Sequence, residues 1–166
     1  MKMPVIHWRT ALLAGIVAGV VATCVQLALW WLAAEPLLAI LFRDARLTAA
    51  IVMGRSVLPP PATFDAPVML IATLVHLALS IAYGSALAVF ISRTGKGPAL
   101  LTGAAFGASL YAINMHGFTL VFPWFAAARD GITVVAHIVF GVIAAVVYKF
   151  GPLPAEDRGQ QRDARR

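Results

Sequence analysis

Residues 98–125 read PALLTGAAFGASLYAINMHGFTLVFPWF, and this stretch decides the fold. The 24 residues between Pro98 and Pro123 include no Asp, Glu, Lys or Arg. A helix rises about 1.5 Å per residue, so a run of this length crosses the roughly 30 Å hydrocarbon core of a bilayer. The sequence therefore predicts a membrane-spanning helix here, with two small residues, Gly103 and Gly107, on one face.

Composition extends this prediction to the whole chain. Hydrophobic residues make up 61% and charged residues 12% of the 166, and the mean hydropathy is +0.86. Soluble domains average about 25% charged residues, so an integral membrane protein is expected. Four apolar runs predict four spans within a single domain, residues 1–151: 8–32, 67–92, 98–122 and 125–150. The arginine-rich tail, 152–166, is predicted to be disordered.

The distribution of basic residues predicts the orientation. If four helices are threaded, nine of the thirteen Lys and Arg fall on the side of the termini and four on the other. By the positive-inside rule, the chain lies in a bacterial inner membrane with both termini in the cytoplasm. The net charge of +6 follows this topology, so no nucleic-acid partner is expected. The four basic residues on the outer side are Arg43, Arg46, Arg55 and Arg129.

Residues 37–61 form the long segment on the predicted outer side. Apolar and polar side chains separate onto two faces here: Leu47, Ile51 and Val52 against Arg43, Asp44 and Arg46. This pattern predicts a short helix at the outer interface, ending near Gly54. The segment is either an ordinary connector or a lid over a site. Asp65 is predicted to cap the next span, because Pro67 follows it.

Small residues reveal an internal repeat. A shift of 88 residues brings Gly15 onto Gly103 and Gly19 onto Gly107. Glycines spaced by four allow helices to approach closely in membranes, which also favours a homo-oligomer or another membrane subunit as partner. We therefore expect an all-α fold of four transmembrane helices, built as two tandem two-helix hairpin repeats around an axis along the membrane normal.

Polar residues follow the same repeat. The 88-residue shift brings Gln26 onto Asn114, and a shift of 61 brings His76 onto His137. Each copy thus contributes one amide and one histidine at similar depth, and these four residues are the candidate intramembrane polar site. His116 has no counterpart, and its position two residues after Asn114 places it about 200° away on a straight helix.

Five short motifs carry a resemblance to a known family. They are AGIVAGVVA in the first span, HLALSIAY from His76 to Tyr83, LLTGAA in the third span, Pro123-Trp124, and AHIVF around His137. With these motifs the chain resembles the YagU-like family of bacterial inner-membrane proteins. The resemblance implies an inner-membrane location and a link to acid tolerance. Similar short chains sometimes carry a sodium:proline symporter label, but four spans are too few for that fold of ten or more helices.

Three functions fit the polar site. In the first, hydrogen bonds among the four side chains only hold a structural subunit together. In the second, they line an outward-opening path or pocket for a small solute or proton, although no carboxylate lies within the predicted spans. In the third, His76 and His137 ligate haem as a cofactor. No Ser/His/Asp set, HExxH motif or paired carboxylates occur in the spans, so neither an enzyme nor a metal site is predicted.

Overall fold

The computed structural model describes residues 6–151, and all regular secondary structure in that range is helical. The predicted all-α class is therefore confirmed, whereas the predicted tail, 152–166, lies outside the described residues. The α-helices are α1 (Trp8–Leu32), α2 (Leu37–Met53), α3 (Ala66–Ile91), α4 (Lys96–Ala112) and α5 (Gly131–Phe150). Shorter turns are 3₁₀ at Arg55–Val57, Phe118–Leu120 and Pro123–Ala128, and π-helical at Ile113–Gly117.

Three of these helices, α1, α3 and α5, are long and apolar enough to cross a membrane. Such helices are compatible with an integral membrane protein. Helix α1 occupies the range predicted for the first span, and α3 differs from the predicted second span by one residue at each end. Helix α4 ends at Ala112 rather than at residue 122, and α5 begins at Gly131 rather than at residue 125. Four crossings stay a prediction.

The connection between α4 and α5 explains both differences. Helix α4 continues into the π-helical turn Ile113–Gly117, which takes backbone carbonyls out of the regular hydrogen-bond ladder. Arg129 Nε donates a hydrogen bond to one of these carbonyls, Met115 O, at 2.6 Å. Helix α5 then begins where Asp130 Oδ1 accepts a hydrogen bond from Thr133 N at 2.7 Å, which satisfies an otherwise unpaired amide of the first turn.

The bundle has two distinct ends. One carries α2 and the connection from α4 to α5, and we call it the α2 end. The other carries residues 92–95 between α3 and α4, and we call it the turn end. At the turn end, Lys149 Nζ from α5 donates to Ser92 O at 3.3 Å and to Thr94 O at 2.8 Å. This cation thus satisfies carbonyls at and beyond the C-terminus of α3.

Helix α2 packs along the first half of α3. Ala45 and Ala49 are buried against Val68, so an apolar stripe of small residues makes the contact. The predicted end of the helix is confirmed at Gly54, whose φ of 80° lies in the left-handed region that favours glycine. On the predicted apolar face, Leu47 is buried and Val52 is 66% exposed, because small residues make the contact with α3.

The long helices lie in the order α3, α1, α5, α4. Contacts of α1 with α3, of α1 with α5 and of α4 with α5 are extensive, whereas contacts of α3 with α4 are sparse. A twofold repeat would make the α1–α5 and α3–α4 contacts equivalent. The two differ, so the bundle is closed along one seam and open along the other.

Glycines set the distance between helices within each hairpin. A Cβ at Gly15 would collide with Ser80 O of α3, and a Cβ at Gly103 would collide with Gly141 O of α5. The backbones are therefore in direct contact, as small residues permit in membrane helices. Ser80 and Gly141 are separated by the same 61 residues that relate the two histidines. The repeat itself stays a prediction.

A hydrophobic core fills the middle of the bundle and its turn-end half. Leu87 and Ile91 of α3 are fully buried, and they lie in one cluster with Leu110 and Phe140. Small residues of α1 and α5, such as Ala18, complete the cluster. All four long helices contribute, so this end of the bundle is packed solid.

We expect Gly103→Ala and Gly107→Ala to destabilise the protein by about 1–3 kcal/mol, the usual cost of overpacking. A methyl group at Gly107 would collide with His137 O and force α4 away from α5. The control is Gly97→Ala, since nothing lies within 4 Å of a Cβ at that position. Thermal unfolding of the purified protein in detergent measures the effect. Equal melting temperatures for all three variants would contradict the close contact.

Candidate functional site

A cavity of about 700 Å³ occupies the α2-end half of the bundle. Its lining comes from residues 20–30 of α1, 69–83 of α3 and 133–140 of α5, with α2 and the end of α4 completing the wall. This size is typical of pockets that hold a small ligand. Thr73, His76 and Cys24 line the cavity and are exposed, so the cavity opens to the molecular surface.

Helix α3 presents a polar stripe to this cavity. Thr73, His76, Ser80 and Tyr83 follow one another at spacings of three, four and three, and all four line the wall. On an α-helix these spacings keep side chains on one face. The rest of the wall is mainly apolar, so the cavity combines a hydrophobic surface with one strip of hydrogen-bonding groups.

The four residues predicted as the polar site all line the cavity. They do not all bond to one another, as the structural hypothesis supposed. Gln26 Nε2 donates to Thr133 Oγ1 at 3.2 Å, which joins α1 to α5. Of the four, only Asn114 and His137 contact each other, at 3.4 Å between Nδ2 and Nε2.

A hydrogen-bonded chain crosses the open seam between α3 and α4. Tyr83 OH donates to Asn114 Oδ1 at 2.9 Å, and Asn114 Nδ2 lies 3.4 Å from His137 Nε2. His137 Nδ1 in turn lies 2.8 Å from Thr133 O, which can only accept, so Nδ1 carries a proton. His137 Nε2 is therefore the acceptor for the Asn114 amide in the neutral ring. Each group in this series of hydrogen bonds therefore donates to the next, from Tyr83 to Thr133.

The two repeat-related histidines make different contacts. His76 Nε2 lies 3.4 Å from Gly19 O and 3.3 Å from Thr23 Oγ1, and Thr23 itself donates to Gly19 O at 2.9 Å. His76 Nε2 must then donate, whereas His137 Nε2 accepts. Haem ligation through this pair requires both Nε2 atoms to face one another, but each contacts a different protein group. The geometry does not fit the bis-histidine hypothesis.

His116 does not line the cavity, whereas Asn114, two residues earlier, does. Its surroundings were not predicted. The exposed ring of His116 packs edge-on against Tyr111 with centroids 5.7 Å apart, and Tyr111 packs edge-on against His137 at 5.8 Å. The π-helical turn changes the side-chain directions after Ala112, so a straight-helix argument could not place His116.

Sequence reasoning missed Asp44 as a cavity residue. It assigned α2 to the outer interface, as a connector or as a lid over a site, and in the structure α2 places Asp44 and Thr48 in the cavity wall. Arg43 Nε donates to Asp44 Oδ1 at 2.8 Å. Burial raises the pKa of the Asp44 carboxyl despite this partner, and the nearby Asp130 adds to the increase. The spacing of Leu41, Asp44, Thr48 and Ile51 on one helical face was the available signal, since all four line the cavity.

These features define an all-helical protein in which long apolar helices surround a cavity with a polar strip. No family model, curated protein or solved structure matches the chain, so the YagU-like resemblance stays a prediction. Among the described residues, no group of three or more His, Cys, Asp or Glu side chains could hold a metal ion. The arrangement offers hydrogen bonds and one carboxylate.

We expect His137→Gln to cost about 1–2 kcal/mol of stability and His76→Gln less than about 0.5 kcal/mol. His137 is half-buried and both of its ring nitrogens contact a partner, whereas His76 is exposed and only its Nε2 does. The two positions are equivalent in the predicted repeat, so each variant is the control of the other. Thermal unfolding in detergent gives the comparison. A larger loss for His76→Gln would contradict the described contacts.

We expect Asp44→Asn to raise the melting temperature at pH 7 by about 2–4 °C, the shift that about 1 kcal/mol produces in a chain of this size. Because folding raises the pKa of Asp44, the stability gained from its protonated form is present at low pH and lost as the pH rises through that pKa. The advantage of the variant should therefore shrink in acid. Glu35→Gln, at an exposed acidic position, is the control. A variant less stable than the wild type at pH 7 would contradict the burial cost.

Proposed function

We propose that the protein is a four-span membrane protein that binds a small solute in the cavity and carries it towards the opposite side. The cavity is the observation that supports this most directly. It occupies the α2-end half of the bundle and reaches the molecular surface beside Thr73, His76 and Cys24, while the solid core around Leu87 and Ile91 closes the turn end. A site open to one side and blocked on the other is the arrangement expected of one state of a transporter.

The fourth crossing in this proposal is α4 together with the π-helical turn that continues it. The stretch from Lys96 to Gly117 is helical without interruption and about 30 Å long, which matches a hydrocarbon core. The glycine contacts at positions related by the 88- and 61-residue shifts support the tandem repeat. The open α3–α4 seam is then the place where the two hairpins have diverged, and the cavity lies beside it.

The orientation follows from charge. Four arginines lie at the α2 end, and the greater share of basic residues lies in the rest of the chain, which supports an orientation with the α2 end on the outer side of a bacterial inner membrane. On this basis the cavity opens to the periplasm. Lipid covers the exposed apolar faces of the long helices, such as Leu101 of α4 at 75% exposure.

A purely structural role is the second candidate. Two hydrogen bonds favour it: Gln26 to Thr133 and Tyr83 to Asn114 each join separate helices. Such bonds stabilise a bundle by about 0.6–2 kcal/mol each. The exposed part of the α3 stripe, Thr73 and His76, has no such bond to the second hairpin among the described residues, and this favours solute binding.

The single cysteine of the chain tests whether the cavity admits water-soluble molecules. Cys24 lines the cavity about 12 Å from the end of α1. We expect it to react with a membrane-impermeant, cationic methanethiosulfonate in proteoliposomes, because the reagent reaches it through the cavity. Thr73→Trp should slow the reaction severalfold by filling the cavity. Labelling is followed by the mass of the intact protein.

The matched control is Leu74→Trp, which introduces the same ring one residue further along α3, outside the cavity lining. This variant should react like the wild type. A positive control for the reagent is Val52→Cys in a Cys24→Ser background, since Val52 is exposed on α2. An unreactive Cys24 beside a reactive Val52→Cys control would overturn solute binding and leave the structural role.

A further inference from the structure

The charge on the cavity lining is negative only. Among the described residues that line it, no Lys or Arg is present, and Asp44 is the one acidic residue. An anion entering this space would lose its hydration without gaining an opposite charge, which costs several kcal/mol. A cation would find a carboxylate within the wall. The lining therefore discriminates by charge before any detail of shape is considered.

Three of the four basic residues at the α2 end, all except Arg43, are bound elsewhere. Arg46 donates to Val57 O at 2.9 Å and to Thr63 O at 3.1 Å, which anchors the segment between α2 and α3. Arg129 donates to Met115 O in the π-helical turn. Arg55 lies 5.6 Å from the ring centre of Trp124. These three cations bind the backbone and an aromatic ring, so Arg43 is the one arginine of this end that directly offsets the charge of Asp44.

Asp44 retains capacity for a ligand. Its Oδ1 accepts from Arg43 Nε, while Oδ2 has no hydrogen-bond donor among the described residues. A carboxylate accepts several hydrogen bonds, so a second cationic donor can bind without displacing Arg43. Asp130 lies close enough to interact electrostatically with Asp44, which makes this mouth of the cavity more negative.

Aromatic rings supply the rest of the wall. Trp30, Tyr83, Phe118, Phe122, Phe125 and Phe140 all line the cavity. The faces of aromatic rings attract cations and also bury the apolar groups attached to them. Hydrogen-bonding groups deeper in the cavity, such as Ser80 and Asn114, are uncharged at neutral pH.

We propose that the ligand of this cavity is a lipophilic organic cation, a protonated or quaternary amine type of molecule, held by Asp44 and the aromatic wall. This inference rests on the proposed function, since it names the substrate class of the same site. Small inorganic cations are a poorer match, because a mainly apolar wall with one carboxylate offers too few oxygen ligands.

Two ions of nearly equal size and opposite charge provide the test: tetraphenylphosphonium and tetraphenylborate. Binding to the full-length protein in a neutral detergent is measured by isothermal titration calorimetry. We expect the phosphonium to bind in the cavity and the borate not to bind there. Asp44→Asn should weaken phosphonium binding at least about fivefold, the effect of removing one opposite charge near a partly exposed site. Glu35→Gln, outside the lining, should bind like the wild type.

Acid provides a second measurement, because the probe itself does not titrate. Lowering the pH should weaken phosphonium binding as Asp44 is protonated, because burial raises the pKa of its carboxyl above the ordinary value. Arg43 and Asp130 interact electrostatically with Asp44, and the imidazoles of His76 and His137 line the same cavity. Comparison with Asp44→Asn separates their contribution, and the variant should lose most of the pH dependence.

The outcomes separate this inference from the proposed function. Equal binding of both ions, abolished by Thr73→Trp and unchanged in Asp44→Asn, would overturn charge selection and keep the cavity as a binding site. A reactive Cys24 without phosphonium binding would likewise overturn charge selection and keep the cavity as a binding site. Both proposals fail if Cys24 is unreactive and if Thr73→Trp changes the binding of neither ion. Stronger phosphonium binding that depends on Asp44 supports both.

Discussion

Direct contact between helix backbones is the constraint on which the rest of the structure depends. Gly15 against Ser80 and Gly103 against Gly141 leave no room for a side chain between the paired helices. In hydrocarbon, where burial of apolar surface gains little, such packing is a principal source of helix association. The close contacts form two helix pairs, α1 with α3 and α4 with α5. The remaining features of the structure depend on how these two pairs pack against each other.

The two pairs meet along one seam only. Helices α1 and α5 pack extensively, while α3 and α4 are bridged at the α2 end by the hydrogen bond from Tyr83 to Asn114. Close packing on one side and separation on the other leave a space that large side chains do not fill. The cavity lies in that space, and α2 and the π-helical turn form its outer wall. The site is thus a consequence of asymmetry between two similar hairpins.

Most polar groups in this space are hydroxyls and amides, and α2 contributes the one carboxylate among the described lining residues. The hydroxyl and amide groups form hydrogen bonds without bringing charge into the bundle. Asp44 is different, because its carboxyl is partly buried and its pKa is raised. A group that costs stability where a neutral amide would not is typical of a site kept for binding. The stability cost and the proposed cation selectivity therefore have one origin.

The sequence by itself determined the helical class, the ranges of α1 and α3 to within one residue, and the polar stripe along one face of α3. These follow from local physics: apolar runs of fixed length, the spacing of Thr73, His76 and Ser80, and the cap at Asp65, whose Oδ1 accepts from Val68 N at 3.1 Å. Periodicity is a property of one helix, so it can be read without the others.

Tertiary structure decided what periodicity cannot express. The end of α4 depends on Arg129 binding the carbonyl of Met115, fourteen residues away in sequence, so no local signal marked it. The different contacts of His76 and His137 arise because the seams beside them differ, although the two positions are equivalent in the predicted repeat. Asp44 reached the cavity only because small residues of α2 pack against α3 and bring the helix over the bundle. Which side chains meet was set by the packing of helices that are distant in the chain.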